Sequence, residues 1–142
     1  MNETIRKFGY PATLIREFDH WLILVRPAQV TFGSLVLAAK SDATAYSQLP
    51  SEAFTEQCDA VRLMERCLKE LCAYQRINYL MLMMVDPNVH FHVIPRYEGL
   101  RHWKGVEFPD AGWPRTPDLT SAVQLSDEDS RELTAEIERR FD

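Results

Sequence analysis

An α+β domain with a mostly antiparallel sheet is the fold class this sequence predicts, and three observations predict it. Apolar runs of strand length fall in two groups rather than alternating one by one with helices. A long stretch between the groups repeats with helical period. One late segment alternates strictly between two faces. The expected order is β-β-β-α-α-β-β-loop-α, giving a five-stranded antiparallel sheet with one long and one short helix, then a C-terminal loop and helix. At 142 residues and 16.5 kDa the chain fits one domain, 1–142, long enough to bury a single core. Within it we expect a core over 13–97, an ordered loop over 98–125 and a helix over 126–141.

Thr13–Phe18 and His20–Arg26 are β-rich runs around Asp19 and read as a hairpin. Pro27–Phe32 connects them to Gly33, which lets the chain turn into a third strand, Ser34–Ala39. Ser41 is placed to cap a short helix through Leu49; Pro50 ends it and Ser51 caps a long one, from Glu52 to about Gln75. Phe54, Cys58, Val61, Met64, Leu68, Leu71 and Cys72 recur along that helix at three- and four-residue steps and predict its buried stripe. Asn78–Val85 is apolar on both faces, as a central strand would be, and its methionines read as core. Asp86-Pro87 is a tight turn. Val89–Pro95 then puts His90, His92 and Ile94 on one face and Val89, Phe91 and Val93 on the other. The hairpin Asn78–Pro95 is expected at the centre of the sheet. Glu98–Asp118, with Trp103 and Trp113, reads as an ordered loop. Ser126 caps a tail helix whose thin stripe of Leu133, Ile137 and Phe141 predicts light docking.

Composition excludes several functions. Hydrophobic residues make up 46% and charged residues 26%, which is globular rather than disordered. Sixteen basic and twenty-one acidic residues give a net charge of −5. The segment Ser126–Asp142 holds seven acids and three arginines, so the body of the chain is nearly neutral. Neither part offers the broad basic face a nucleic-acid polymer needs. The longest apolar run, Leu80–Val85, is too short to span a bilayer, and Met1–Tyr10 lacks the apolar centre of a signal peptide. Cys58, Cys67 and Cys72, an odd set without metal-ligand spacing, predict a reduced, cytoplasmic chain with thiols as core filling.

The most informative stretch is Asn88-Val-His-Phe-His-Val-Ile-Pro-Arg96. Two histidines two apart on a strand share a side, with Cβ atoms roughly 7 Å apart. Imidazole is neutral and nucleophilic near pH 7, so such a pair suits covalent phosphoryl or nucleotidyl transfer. It equally suits a metal, although no carboxylate or cysteine stands at a companion position. Two half-buried sheet histidines are the plain alternative.

This run resembles the signature of the histidine triad family, three histidines alternating with apolar residues and often followed by Pro-Arg. Glu17–Trp21, Gly33-Ser-Leu-Val-Leu with Lys40, the long helix and the Asn78 strand extend the resemblance over Thr13–Tyr97. It implies a five-stranded antiparallel sheet with a long helix, paired in a homodimer as one continuous sheet. It implies hydrolysis or transfer at the α-phosphate of a nucleotide, with dinucleoside polyphosphates or nucleoside phosphoramidates as substrates. His90 maps to the nucleophile and His92 to the phosphate ligand. No cofactor and no metal are implied.

Four positions depart from the pattern. Asn88 stands where the first triad histidine belongs; it reads either as an orienting amide at the catalytic centre or as a turn residue after Pro87. Ser34 replaces a second-site histidine and is read as a substrate-binding hydroxyl. Arg26 stands where the family carries Asn or Asp for the ribose, and a guanidinium cannot accept a hydrogen bond; it reads either as a phosphate ligand or as an exposed strand end. The Gly-rich loop before the motif is missing. Arg96 completes the expected substrate-binding set, with a sheet-edge cation as its plainer reading. Trp103 and Trp113 either close over a base, reach a second subunit or pack the long loop. Beside the enzyme reading stands a nucleotide-binding protein with little or no turnover.

Overall fold

The computed structural model describes all residues, 1–142. Its main sheet has five antiparallel strands in the order β1-β2-β4-β6-β5. In chain order, a short helix α1 (Glu3–Lys7) precedes β1 (Leu14–Glu17), β2 (Trp21–Val25), a two-residue β3 (Ala28–Gln29) and β4 (Leu35–Ala39). A 3-10 turn at Tyr46–Gln48 leads into α2 (Ser51–Cys72), then β5 (Arg76–Leu80) and β6 (His90–Arg96). Strands β7 (Leu100–Trp103) and β8 (Val106–Pro109) form a hairpin, β9 (Val123–Gln124) pairs with β3, and α3 (Asp127–Phe141) ends the chain. The α+β class and the five-stranded sheet are as the sequence predicts.

Strands β2 and β4 are apolar at every position because both their faces are covered. On one face Trp21, Ile23, Val25, Leu35 and Leu37 pack with Met64 and Leu68 of α2 and Leu133 and Ile137 of α3. On the other, Leu22, Leu24, Val36 and Ala38 pack against Ile5 and Phe8 around α1. That smaller cluster lies on the side of β6 that carries the histidines, beside which Phe8 sits.

Several expectations need correction. Ser51 is the first helical residue of α2, and Pro50 precedes it without a side-chain cap. The helix stops at Cys72 because Ala73 takes a left-handed conformation, φ +48°, and turns the chain into β5. Its buried stripe runs through Ala53, Ala60, Met64, Cys67, Leu68 and Cys72, whereas Phe54 and Cys58 are exposed. The small alanines, rather than Phe54, face the sheet, and the indole N–H of Trp21 donates to the Ala53 carbonyl at 2.7 Å. Phe54 instead lies against Tyr46, with ring centroids 5.0 Å apart.

The Asn78 strand ends at Leu80 and is an edge strand, not a central one. Met81–Val89 is a loop, because the chain leaves the sheet after Leu80 pairs with His92 and is anchored at Asp86, which bonds Lys7 at 2.6 Å. An unbroken apolar run looks the same whether it fills a strand or lines a cleft. Strand β6 is internal, between β4 and β5. Part of the expected loop after Arg96 is the β7–β8 hairpin, turned by Lys104 and Gly105, both with positive φ. The tail helix is firmly docked: Leu133, Ile137 and Phe141 are buried in the main core. Finally, α1 was not predicted. Asn2 caps it by accepting from the Ile5 N–H at 2.9 Å, and Glu3 and Arg6-Lys7 suit its two ends. A cap followed by Ile5 and Phe8 three residues apart is the signal for it, too short to stand out by period.

Candidate active site

Strand β6 presents His90 and His92 on the α1 side of the sheet, with ring centroids 5.1 Å apart and planes nearly perpendicular. Phe8 lies 5.6 Å from both rings and helps cover them. His90 is 1% exposed and His92 6% exposed. The two rings, Lys7, Arg26, Asp86 and the side chains of Leu82–Val85 line one cleft of about 410 Å³.

The two imidazoles have different partners. Nδ1 of His90 lies 2.7 Å from the backbone carbonyl of Asn88. A carbonyl only accepts, so Nδ1 carries the proton and Nε2 keeps its lone pair. Nδ1 of His92 accepts from Nε of Arg26 at 3.4 Å, which puts the His92 proton on Nε2. Burial, reinforced by the charges of Arg26 and His90, holds the His92 pKa down at about 4 against the opposing pull of Asp86. The hydrogen bonds thus set opposite tautomers, with the lone pair on Nε2 of a neutral His90 and the proton on Nε2 of His92.

The structure brings some expected site residues together and not others. Arg26 is neither an exposed strand end nor a ribose acceptor. Its guanidinium donates to the Ala28 carbonyl at 2.5 Å and points Nε at His92. Asn88 is present at the site through its backbone only. Its side-chain oxygen accepts from the Thr4 hydroxyl at 2.9 Å and the Thr4 N–H at 3.4 Å, and its amide donates to the Asp42 carbonyl at 3.1 Å. The amide is thus a clamp between α1 and the loop after β4, not a group aimed at the histidines.

Ser34 is fully buried and does not line the cleft. Its hydroxyl accepts from the Thr31 N–H at 3.0 Å and donates to the Thr31 carbonyl at 2.8 Å, closing the turn at Gly33. Arg96 is also removed from the histidines, four residues beyond His92 or roughly 13 Å along the strand. It is buried in a bidentate pair with Asp110 at 2.7 and 3.1 Å, and also donates to Asn78 and to the Arg115 carbonyl. This guanidinium fixes the segment after β8 to the sheet. Trp103 packs near Phe32 and bonds Glu136 through its indole N–H at 2.8 Å. Trp113 lines the largest cavity, about 820 Å³, along the outer edge of β5, which contains no histidine.

Sequence reasoning missed Lys7, Phe8 and Asp86 of the cleft. Phe8 and Lys7 reach it only through α1, and Asp86 was read as part of a turn. No group of three or more His, Cys, Asp or Glu side chains is arranged to hold a metal. No helix is long and apolar enough to cross a membrane.

No family model matches the sequence, and no curated protein is significantly similar to it. Similar solved structures are numerous, and many are histidine triad proteins. One from Sinorhizobium meliloti superposes with a TM-score of 0.70 at 20% identity, over 99% of this chain and 95% of that one. One from Bradyrhizobium japonicum gives 0.70 at 16% identity, over 99% and 96%. The diadenosine triphosphate hydrolase of Plasmodium falciparum gives 0.66 at 13% identity, over 91% and 76%. The chain has the histidine triad fold.

Proposed function

We infer that this protein is a nucleotide-processing enzyme of the histidine triad type. In this reading it is a nucleotidyl hydrolase or transferase that acts at the α-phosphate through a covalent nucleotidyl-histidine. The observation that carries the reading is the division of labour on β6: His90 holds a free Nε2 lone pair, fixed by the Asn88 carbonyl, beside a donating neutral His92. His90 Nε2 attacks phosphorus, and the bond to the leaving group breaks with its electron pair. As the ring becomes cationic, the Asn88 carbonyl stabilises its Nδ1–H. His92 Nε2–H and the Arg26 guanidinium bind phosphoryl oxygens. Water then attacks phosphorus, the P–N bond breaks and the nucleoside monophosphate leaves.

Incubation with diadenosine tetraphosphate or adenosine 5′-phosphoramidate is expected to release AMP, and an alkaline quench to show one adenylate on wild-type protein and none on His90→Ala. No AMP release, with no difference between the two proteins, overturns the reading. The burial of His90 beneath Phe8 favours a second reading, nucleotide binding with little turnover. Its signature is AMP binding by calorimetry without product.

The whole chain is read as one cytoplasmic domain that pairs as a homodimer. The edge strand β5 pairs with no strand on its outer side, and a second copy there extends the sheet. Sedimentation equilibrium is expected to give twice 16.5 kDa; a monomer at all concentrations overturns the pairing.

A further inference from the structure

Three of the six large apolar side chains that remain exposed fall within four consecutive residues of the loop after β5. Leu82 is 46% exposed, Met84 83% and Val85 84%. Between them Met83 sits at φ +29°, a left-handed conformation that non-glycine residues rarely adopt and that costs of order 1 kcal/mol or more. The loop is therefore held in place, and what it holds toward solvent is apolar. Its side chains share one cleft with His90 and His92. Clustered apolar exposure of this kind marks a binding surface, and methionine adapts to flat, polarisable groups.

The sheet order says which part of a substrate would meet it. Strand β6 lies between β4 and β5. Arg26, just past the end of β2, stands on the β4 side of the histidines, and the methionine loop stands on the β5 side. Phosphorus attacked by His90 carries two substituents, the nucleoside and the leaving group. A cation lies on one flank of the strand. The other flank is lined by the apolar loop and ends where Asp86 is paired with Lys7 at 2.6 Å. A polyphosphate leaving group directed along Leu82–Val85 would lose hydration against methyl groups.

We propose that Leu82–Val85 is a leaving-group subsite, and that the substrate is a nucleoside 5′-monophosphate esterified at phosphorus with an apolar aryl or alkyl group. The proposal rests on the His90 reading above. A P–N bond forms at His90 Nε2 while the P–O bond to the apolar group breaks with its electron pair, and the departing oxygen takes a proton from solvent. Water then adds to phosphorus, the P–N bond breaks and a proton returns to solvent. The products are a nucleoside monophosphate and an apolar alcohol or phenol.

Calorimetry in a His90→Ala background, where turnover cannot intrude, compares AMP with its phenyl ester. The ester is expected to bind at least tenfold tighter than AMP. The pair of substitutions Met83→Ser and Met84→Ser is expected to erase that gain, so that the ester binds no tighter than AMP to the same variant. Should the double variant fail to fold, Met84→Ser alone carries the test, with at least a threefold loss expected. An ester no tighter than AMP, or a gain that survives in the loop variant, overturns the proposal. AMP binding without the ester gain overturns this proposal alone; absence of AMP binding overturns it together with the His90 reading. A loop variant that loses a dimer on sedimentation yet keeps the ester gain assigns the loop to a second copy, and the proposal falls.

Discussion

His90 and His92 are the same residue type two positions apart, and the fold makes them chemically unlike. One donates through Nδ1 to a backbone carbonyl; the other accepts there from a guanidinium. His92 also leaves a pH signature in stability. Its native pKa of about 4 lies below the ordinary value of 6.5, so between those limits the unfolded chain binds a proton that the native protein does not. Stability therefore falls as pH drops from 6.5 toward 4, by about 3 kcal/mol at the lower end, and is unaffected by this group above 6.5. Urea unfolding of wild type and His92→Gln at pH 7 and pH 4.5 is expected to show the wild type losing more stability on acidification. Parallel losses refute the assignment. The pairing of the histidines on one face was legible from alternation alone. Their tautomers were not, because they depend on a carbonyl and on Arg26, sixty-six residues away from His92 in sequence. The role of the Asn88 side chain was hidden for the same reason, since its partner Thr4 is eighty-four residues distant.

Elements were legible in proportion to their length and period. Strand β6 and helix α2 stood out, although α2 turns Ala53 and Ala60 inward where the large Phe54 suggested otherwise. Helix α3 was recognised and its docking underrated. Leu133, Ile137 and Phe141 are three apolar residues among many charges, but all three are buried, and they meet a core shared with α2 and β2. Ile137→Ala is accordingly expected to cost about 2–5 kcal/mol in denaturant unfolding, the range for emptying a packed aliphatic site. A loss within 0.5 kcal/mol instead marks α3 as peripheral. The acidic character of this helix belongs to its outer face, where Lys104 pairs with Glu132.

Across the whole molecule the sheet separates two unequal tasks. One face carries α2, α3 and most of the buried apolar residues. The other carries a cluster of six buried apolar residues beside the histidines, covered around one short helix. The net charge of −5 sits largely on the far side, in α3, and the cleft is left with Lys7, Arg26 and Asp86. The buried Arg96–Asp110 pair ties the C-terminal third to β6 from beyond the cleft, so that the strand bearing the histidines is also the strand that joins the two parts of the chain.

Asn88 gives this arrangement a mechanical character. Its side chain grips Thr4 in α1, and its carbonyl, on the same rigid residue, sets the proton of His90. A pull on the covering helix is therefore transmitted across a single Cα to the His90 ring. Access to the ring and the poise of its lone pair behave as one lever rather than as two independent adjustments.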